Sequence, residues 1–155
     1  MQVEIKGGKA LEAALGEIAK TATRRNIAIR GLTKAAEVIA DRARQLAPKD
    51  QGDLEQSIKV SPTAYLAGKK SKRGGNGGDF GDVVEVFVGI DASVNKALTI
   101  YAPINEFGND PRPKQPYMRP AFDQTGERAL DLMISETAAE TEKAIARAAR
   151  RNAKG

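Results

Sequence analysis

The chain has 155 residues, with 25 Lys and Arg against 20 Asp and Glu, a net charge of +5, and neither histidine nor cysteine. That length suits a single domain able to bury a core. The missing residue types exclude Ser-His and Cys-His catalysis, disulfides, and thiolate or imidazole metal sites.

Charge is uneven along the chain. Residues 1–78 hold 15 Lys and Arg against 8 Asp and Glu, whereas residues 79–155 hold 10 against 12. A basic half suits nucleic acid, an acidic protein surface, or plain solvation. With four Phe, three Tyr and no Trp, packing falls to Ala, Leu, Ile and Val. No apolar run approaches the roughly 18 residues of a membrane span. The first residues, "MQVEIKGGKA", lack the apolar stretch of a secretory signal. The expectation is a soluble protein made in the cytoplasm, with no membrane association and no cofactor.

From about Lys9 to Leu46 the pattern predicts helix. Leu32, Ala35, Ala36, Ile39, Ala40, Ala43 and Leu46 recur at three- and four-residue steps, and Leu11, Leu15, Ile18 and Ala22 form a similar stripe upstream. "TRRNIAIRG" is less helical, so a break is expected near Asn26 or Gly31. Pro48 ends the helix, because the residue before a proline is driven out of the α region, and Ala47 is the boundary.

Residues Lys49 to Leu66 begin as a turn, where Gly52 supplies a positive φ, and become a strand over Ser57 to Thr63. Gly68 to Asp82 is basic and glycine-rich and reads as a flexible loop. Val83 to Ile90 is β-branched and nearly uncharged, the clearest strand. The two strands are expected to pair antiparallel, and Leu98 to Tyr101 reads as a short third strand.

Tyr101 to Gln124 then holds five of the chain's seven prolines. Pro103 suits the start of a short helix and Gly108 its end. Ile104 and Phe107 are expected on its buried face, with Glu106 projecting elsewhere. "NDPRPKQP" reads as a rigid extended link to Tyr117, Met118 and Phe122. From Pro120 to about Arg150 the pattern predicts a second long helix. Asp123, Glu127 and Asp131 lie early in it, and Lys143, Arg147, Arg150 and Arg151 late, a polarity that complements the helix macrodipole.

The fold expected is α+β: a long N-terminal helix, a small antiparallel sheet with a long glycine-rich basic loop, a short helix and a long C-terminal helix. One domain spans 1–155, with the flexible loop at about 68–81 and a basic tail at about 147–155.

No catalytic pattern emerges. Gly75 and Gly77 begin a G-x-G, but Phe80 stands where a third glycine belongs, and the loop precedes a strand rather than a helix. Asp50 with Asp53, and Asp79 with Asp82, lack the rest of a calcium loop. Lys69, Lys70, Lys72 and Arg73 form a basic cluster suited to DNA or partner contact. Few aromatic residues are interleaved for base stacking. A basic nucleic-acid-binding protein is the alternative reading that these residues sustain.

Two blocks carry a family resemblance. "LAPKDQGDLEQSI" supplies Ala47, Pro48, Gly52, Leu54, Ser57 and Ile58. "YAPINEFGN" and "PRPKQPYMRPAF" supply Tyr101, Ala102, Glu106, Phe107, Gly108, Pro116, Met118, Arg119, Pro120, Ala121 and Phe122. Together they resemble the neck and tail-completion proteins of tailed bacteriophages, the group with minor tail protein Z-like chains of lambda-like siphophages. The resemblance covers about Leu32 to Ala129. Gln51 stands where threonine is common in that group, and the glycine-rich insertion looks longer than in many members.

The resemblance implies a non-enzymatic virion protein at the head–tail junction. It implies a homo-oligomeric ring of six or twelve copies around the DNA path, with non-specific DNA contact in its lumen. The implied neighbours are the head-closure or connector protein and the tail-terminator or tail-tube protein.

Overall fold

The computed structural model describes residues 20–49, 52–62 and 84–152, the backbone of 65–66 and 69–70, and isolated positions at 12, 15 and 16. Its frame is an antiparallel hairpin of two long helices. Helix α1 is Thr21–Leu46, and the last helix, α4, is Met118–Asn152. Between them come a short helix α2 (Asp53–Ser57), strand β1 (Ile58–Ser61), a two-residue pair β2 (Tyr65–Leu66) and β3 (Lys69–Lys70), strand β4 (Phe87–Ile90) and helix α3 (Leu98–Phe107). The α+β architecture anticipated from the sequence is the one observed.

Helix α1 runs through Asn26 and Gly31 without the expected break. Glycine inside a helix costs about 1 kcal/mol relative to alanine, and packing offsets it here. A Cβ at Gly31 would collide with Thr137 Oγ1 and lie 3.4 Å from the Met133 carbonyl oxygen. The glycine therefore lets α1 and α4 approach closely. Buried alanines continue the seam: Ala35, Ala36, Ala40 and Ala43 on α1, and Ala121, Ala129, Ala144 and Ala148 on α4. The register is fixed at the rims. Arg30 meets Glu140 at 2.6 Å, Lys34 meets Glu136 at 2.5 Å, and Arg42 Nε donates to Gln124 at 2.7 Å.

Helix α1 stops as anticipated. Ala47 is extended (φ −60°, ψ 137°), as the following Pro48 requires. Its N–H still donates to Ala43 O at 2.9 Å. The chain then reverses at Gly52, whose φ of 74° is left-handed. Beyond this turn the chain is not yet strand. Asp53–Ser57 closes one helical turn, with Ser57 Oγ donating to Leu54 O at 2.7 Å, so the strand begins at Ile58 and is shorter than predicted. Arg44 ties the join, donating through Nε and Nη2 to Ile58 O at 3.0 and 2.8 Å.

Strands β1 and β4 pair antiparallel in the register Ile58↔Ile90 to Ser61↔Phe87. The second strand is also shorter than predicted, since residues 84–86 have no regular structure. Lys69 and Lys70, expected in a loop, pair by backbone with Leu66 and Tyr65. Lys72, Arg73 and the remainder of the glycine-rich segment lie outside the described residues.

The segment expected as a third strand is the first part of α3. Asn95 makes the turn that leads into this helix: its Oδ1 accepts Ala97 N–H at 2.9 Å and its carbonyl accepts Leu98 N–H at 3.1 Å. Pro103 therefore lies inside the helix rather than at its start. Leu98, Ala102 and Glu106, four residues apart, face inward together. The central cluster joins Ala40, Ala43 and Ala47 of α1 with Leu54, Ile58, Leu98, Ala102, Tyr117 and Ala121.

Candidate functional site

The corner between α3 and α4 is built around Glu106. The sequence pattern turns this residue away from the core and buries Phe107. The structure reverses them: Glu106 is buried and Phe107 is 64% exposed. The reason is the helix start. With α3 beginning at Leu98, its inward face is fixed by Leu98 and Ala102, which carries Glu106 inward and turns Phe107 roughly 100° away.

Glu106 then caps α4 from a distance. Its Oε2 accepts the Tyr117 and Met118 N–H groups, both at 2.9 Å, and its Oε1 accepts Arg119 N–H at 3.1 Å. Pro120 has no N–H, and Ala121 N–H makes the first bond within the helix, to Tyr117 O at 3.2 Å. Every orphan donor of this terminus is thereby satisfied. Burial pushes the Glu106 carboxyl up, but the three backbone donors, with the Arg119 charge, outweigh it and hold the group below its ordinary 4.5. Burial, and then Glu106, push the Tyr117 phenol upward.

The proline-rich link carries the chain from Glu106 to the donors it binds. Gly108 has φ of 76°, and a Cβ there would lie 3.0 Å from Lys114 N and 3.3 Å from Arg112 O. Asn109 N–H donates to Arg112 O at 3.0 Å across the cis Asp110–Pro111 bond, and Gln115 N–H donates to Asn105 O at 2.7 Å. Residues 111–116 are exposed but returned to α3 by these bonds.

This corner displays apolar side chains. Ile100 is 63% exposed, Phe122 60% and Tyr101 47%. Between α3, the end of β4 and the start of α4 lies a cavity of about 650 Å³, lined by Ile90, Pro103, Phe107, Met118 and Phe122 among others. Arg119 stacks over the Phe107 ring at 5.5 Å and Arg112 over Tyr101 at 6.0 Å. A second, smaller cavity of about 260 Å³ is lined by Pro48, Gly52 and Leu54 from one sequence block and by Tyr101 from the other.

The two blocks thus meet. Ala47, Leu54, Ile58, Ala102 and Ala121 are core, and Ser57 is fully buried. Gly52 and Gly108 turn the chain, and Glu106 holds the corner. Tyr101, Phe107, Arg119, Pro116 and Phe122 are exposed, while Pro48, Met118 and Pro120 are half-buried. Tyr117, only 2% exposed, is the core residue that the link delivers but that the motif positions omit. The lack of any Ser, Thr, Asp or Asn directly before α4 is a sequence signal for the capping role of Glu106, since it leaves that helix needing a cap from elsewhere.

Among the described residues no group of acidic side chains is placed to hold a metal ion. No described helix is long and apolar enough to cross a membrane.

These helices, this small sheet and this corner make an α+β module with apolar side chains displayed at one end. Residues 9–108 match the HK97-gp10-like family model, that of a bacteriophage tail component. The protein belongs to this phage tail-component family, and that membership implies association with the virion. The match ends at Gly108, so Pro116 to Phe122 lie beyond it and are tied to it physically, through Glu106. No curated protein and no solved structure matches the chain.

Proposed function

We propose that this protein is a non-enzymatic joining piece at the head–tail junction, assembled as a ring of six or twelve copies around the DNA path. Its neighbours in this reading are a head-closure or connector protein on one side and a tail-terminator or tail-tube protein on the other. The observation that carries the reading is the α3–α4 corner. Ile100, Tyr101, Phe107 and Phe122 expose apolar surface on a backbone fixed by the Glu106 cap and the returned link. An apolar surface held in one shape suits protein contact, because little ordering entropy is lost on binding. In a ring, a neighbouring copy covers it.

Family membership supports the virion role, and the lack of His and Cys supports a contact role over a chemical one. The test is immunogold electron microscopy of phage particles with an antibody to this chain. Label at the head–tail junction is expected. Particles without label, in which mass spectrometry also finds no such chain, overturn the reading.

A further inference from the structure

The cavity of about 650 Å³ at the α3–α4 corner has a chiefly apolar wall, formed by Ile90, Leu98, Pro103, Phe107, Met118 and Phe122. Among the described residues Glu106 is the one carboxylate lining it, and that group is turned to the backbone donors of α4. Arg119 stands exposed at the rim over Phe107, and Arg112 stands exposed over Tyr101. A groove of this kind suits apolar anchors flanked by an acid.

The chain carries such anchors ahead of α1. Residues 12, 15 and 16 are helical, and Leu15 is 58% exposed. The sequence places Leu11 four residues before Leu15 and Ile18 three residues after it, a spacing that puts all three on one face of a helix. Leu11 and Ile18 themselves lie outside the described residues. Glu12, exposed and three residues before Leu15, falls on the flank of that face. Anchors at this spacing, laid into an apolar groove, are a recurring mode of helix recognition. At Lys20 the backbone is extended (ψ 124°), so the segment is an element apart from α1 rather than its first turns. The family match begins at residue 9 and takes in both this segment and the α3 wall of the groove.

Reach decides whose groove the segment can fill. Helix α1 opens beside Arg147 and Arg150, at the basic end of the hairpin, and closes at the corner, where Arg42 meets Gln124. Its 26 residues span roughly 39 Å. A helix over residues 9–19 covers only about 16 Å. Folded back along α1, the segment stops short of its own corner. The corner of another copy has no such limit.

We propose that residues 9–19 of one copy seat Leu11, Leu15 and Ile18 in the corner groove of a second copy, with Glu12 towards Arg119. This docking rests on the junction reading in needing copies side by side. It names what covers the corner: a helix from the far end of a neighbouring chain.

Two measurements test it. In the first, a fluorescent peptide of residues 5–20 is titrated with full-length Leu11→Asp/Leu15→Asp/Ile18→Asp, whose own segment cannot compete. A saturable rise in anisotropy is expected. Phe122→Asp, added to that chain, should weaken binding about tenfold or more, and so should Leu15→Asp in the peptide. Phe122 is 60% exposed, and an unaltered melting temperature checks that its variant is folded. In the second, Leu15→Cys chains are mixed with Phe122→Cys chains and treated with a short bis-maleimide. The chain has no cysteine of its own, so only the introduced thiols react. Mixed covalent dimers are expected. Ser135→Cys in place of Phe122→Cys should give none, since Ser135 is exposed on α4 about 20 Å further along.

No peptide binding, or binding that Phe122→Asp leaves unchanged, overturns the proposal. Absence of mixed dimers overturns it too, and a Leu15→Cys/Phe122→Cys chain bridged within itself would show the segment in its own groove. These outcomes are independent of the particle experiment. A chain that labels the junction but neither binds the peptide nor cross-links sinks this inference alone. One that binds and cross-links but is missing from particles sinks the junction reading alone.

Discussion

Each end of the α1–α4 hairpin buries one glutamate, and the two are satisfied by opposite means. Glu106 at the corner accepts three backbone N–H groups from the start of α4. Glu140 at the basic end accepts side-chain cations, chiefly Lys143 and Arg30, which hold its carboxyl at about 2. Backbone donors are part of the fold and cannot swing away. The Arg30, Lys143 and Arg147 side chains that surround Glu140 are each more than half exposed, so solvent and salt screen their hold on it. A buried carboxylate therefore means fixed dipoles at one end and screened charge at the other.

The largest test of this contrast is Glu106→Ala. It strands three donors at a buried helix terminus, for a loss of about 3 kcal/mol or more. Urea unfolding should show a lower midpoint with an unchanged slope. Glu106→Gln keeps one acceptor oxygen and should lose roughly half as much. Next in size is Gly108→Ala. A Cβ at positive φ costs about 1 to 2 kcal/mol, and the 3.0 Å approach of Lys114 N adds to it. The loss should exceed that of Gly52→Ala, where φ is also positive but the nearest atom is 3.8 Å away. Equal losses at the two glycines would mean that the returned link gives way under the added methyl.

The legibility of these features in the sequence depends on how local they are. The end of α1 at Ala47 and the turn at Gly52 depend on neighbouring residues, and both can be read. The roles of Glu106 and Phe107 cannot. They are set by where α3 begins, and Asn95 places that start several residues before the proline that looks like the opening signal. Gly31 misleads for a related reason: its weak helix propensity is local, whereas its reason for being there, the Thr137 side chain, lies on the other helix of the hairpin. In the sequence, Asp123, Glu127 and Asp131 look placed to serve the α4 dipole. The helix begins at Met118 with no acid in its first turn, and Glu106 does that work instead.

The seam offers a smaller test. Gly31→Ala gains about 1 kcal/mol in helix propensity but forces Thr137 to move. The single variant should be destabilised by about 1 kcal/mol, as overpacking of a tight seam usually is. Gly31→Ala combined with Thr137→Ala should recover most of that, a positive coupling of two touching sites. Simple additivity in the double variant would show that the helices had separated rather than repacked.

The smallest stability effect is expected from Glu140→Gln, and it separates the two glutamates most cleanly. Both carboxyls are depressed in the folded protein, so each contributes stability that is present above the unfolded value near 4.5 and is lost on acidification. For Glu140 the loss runs from about pH 4.5 towards its folded value of about 2. Its partners are largely exposed, so added salt should shrink its contribution. Glu106 faces chiefly fixed backbone dipoles, which added salt should weaken less than it weakens pairing with exposed cations. Acid unfolding in low and high salt should therefore give Glu140→Gln a difference from wild type that fades with salt, and Glu106→Gln one that persists. If salt erased both, water and ions would have access to the corner, and the rigid backbone under the apolar surface of α3 and α4 would be lost as an explanation.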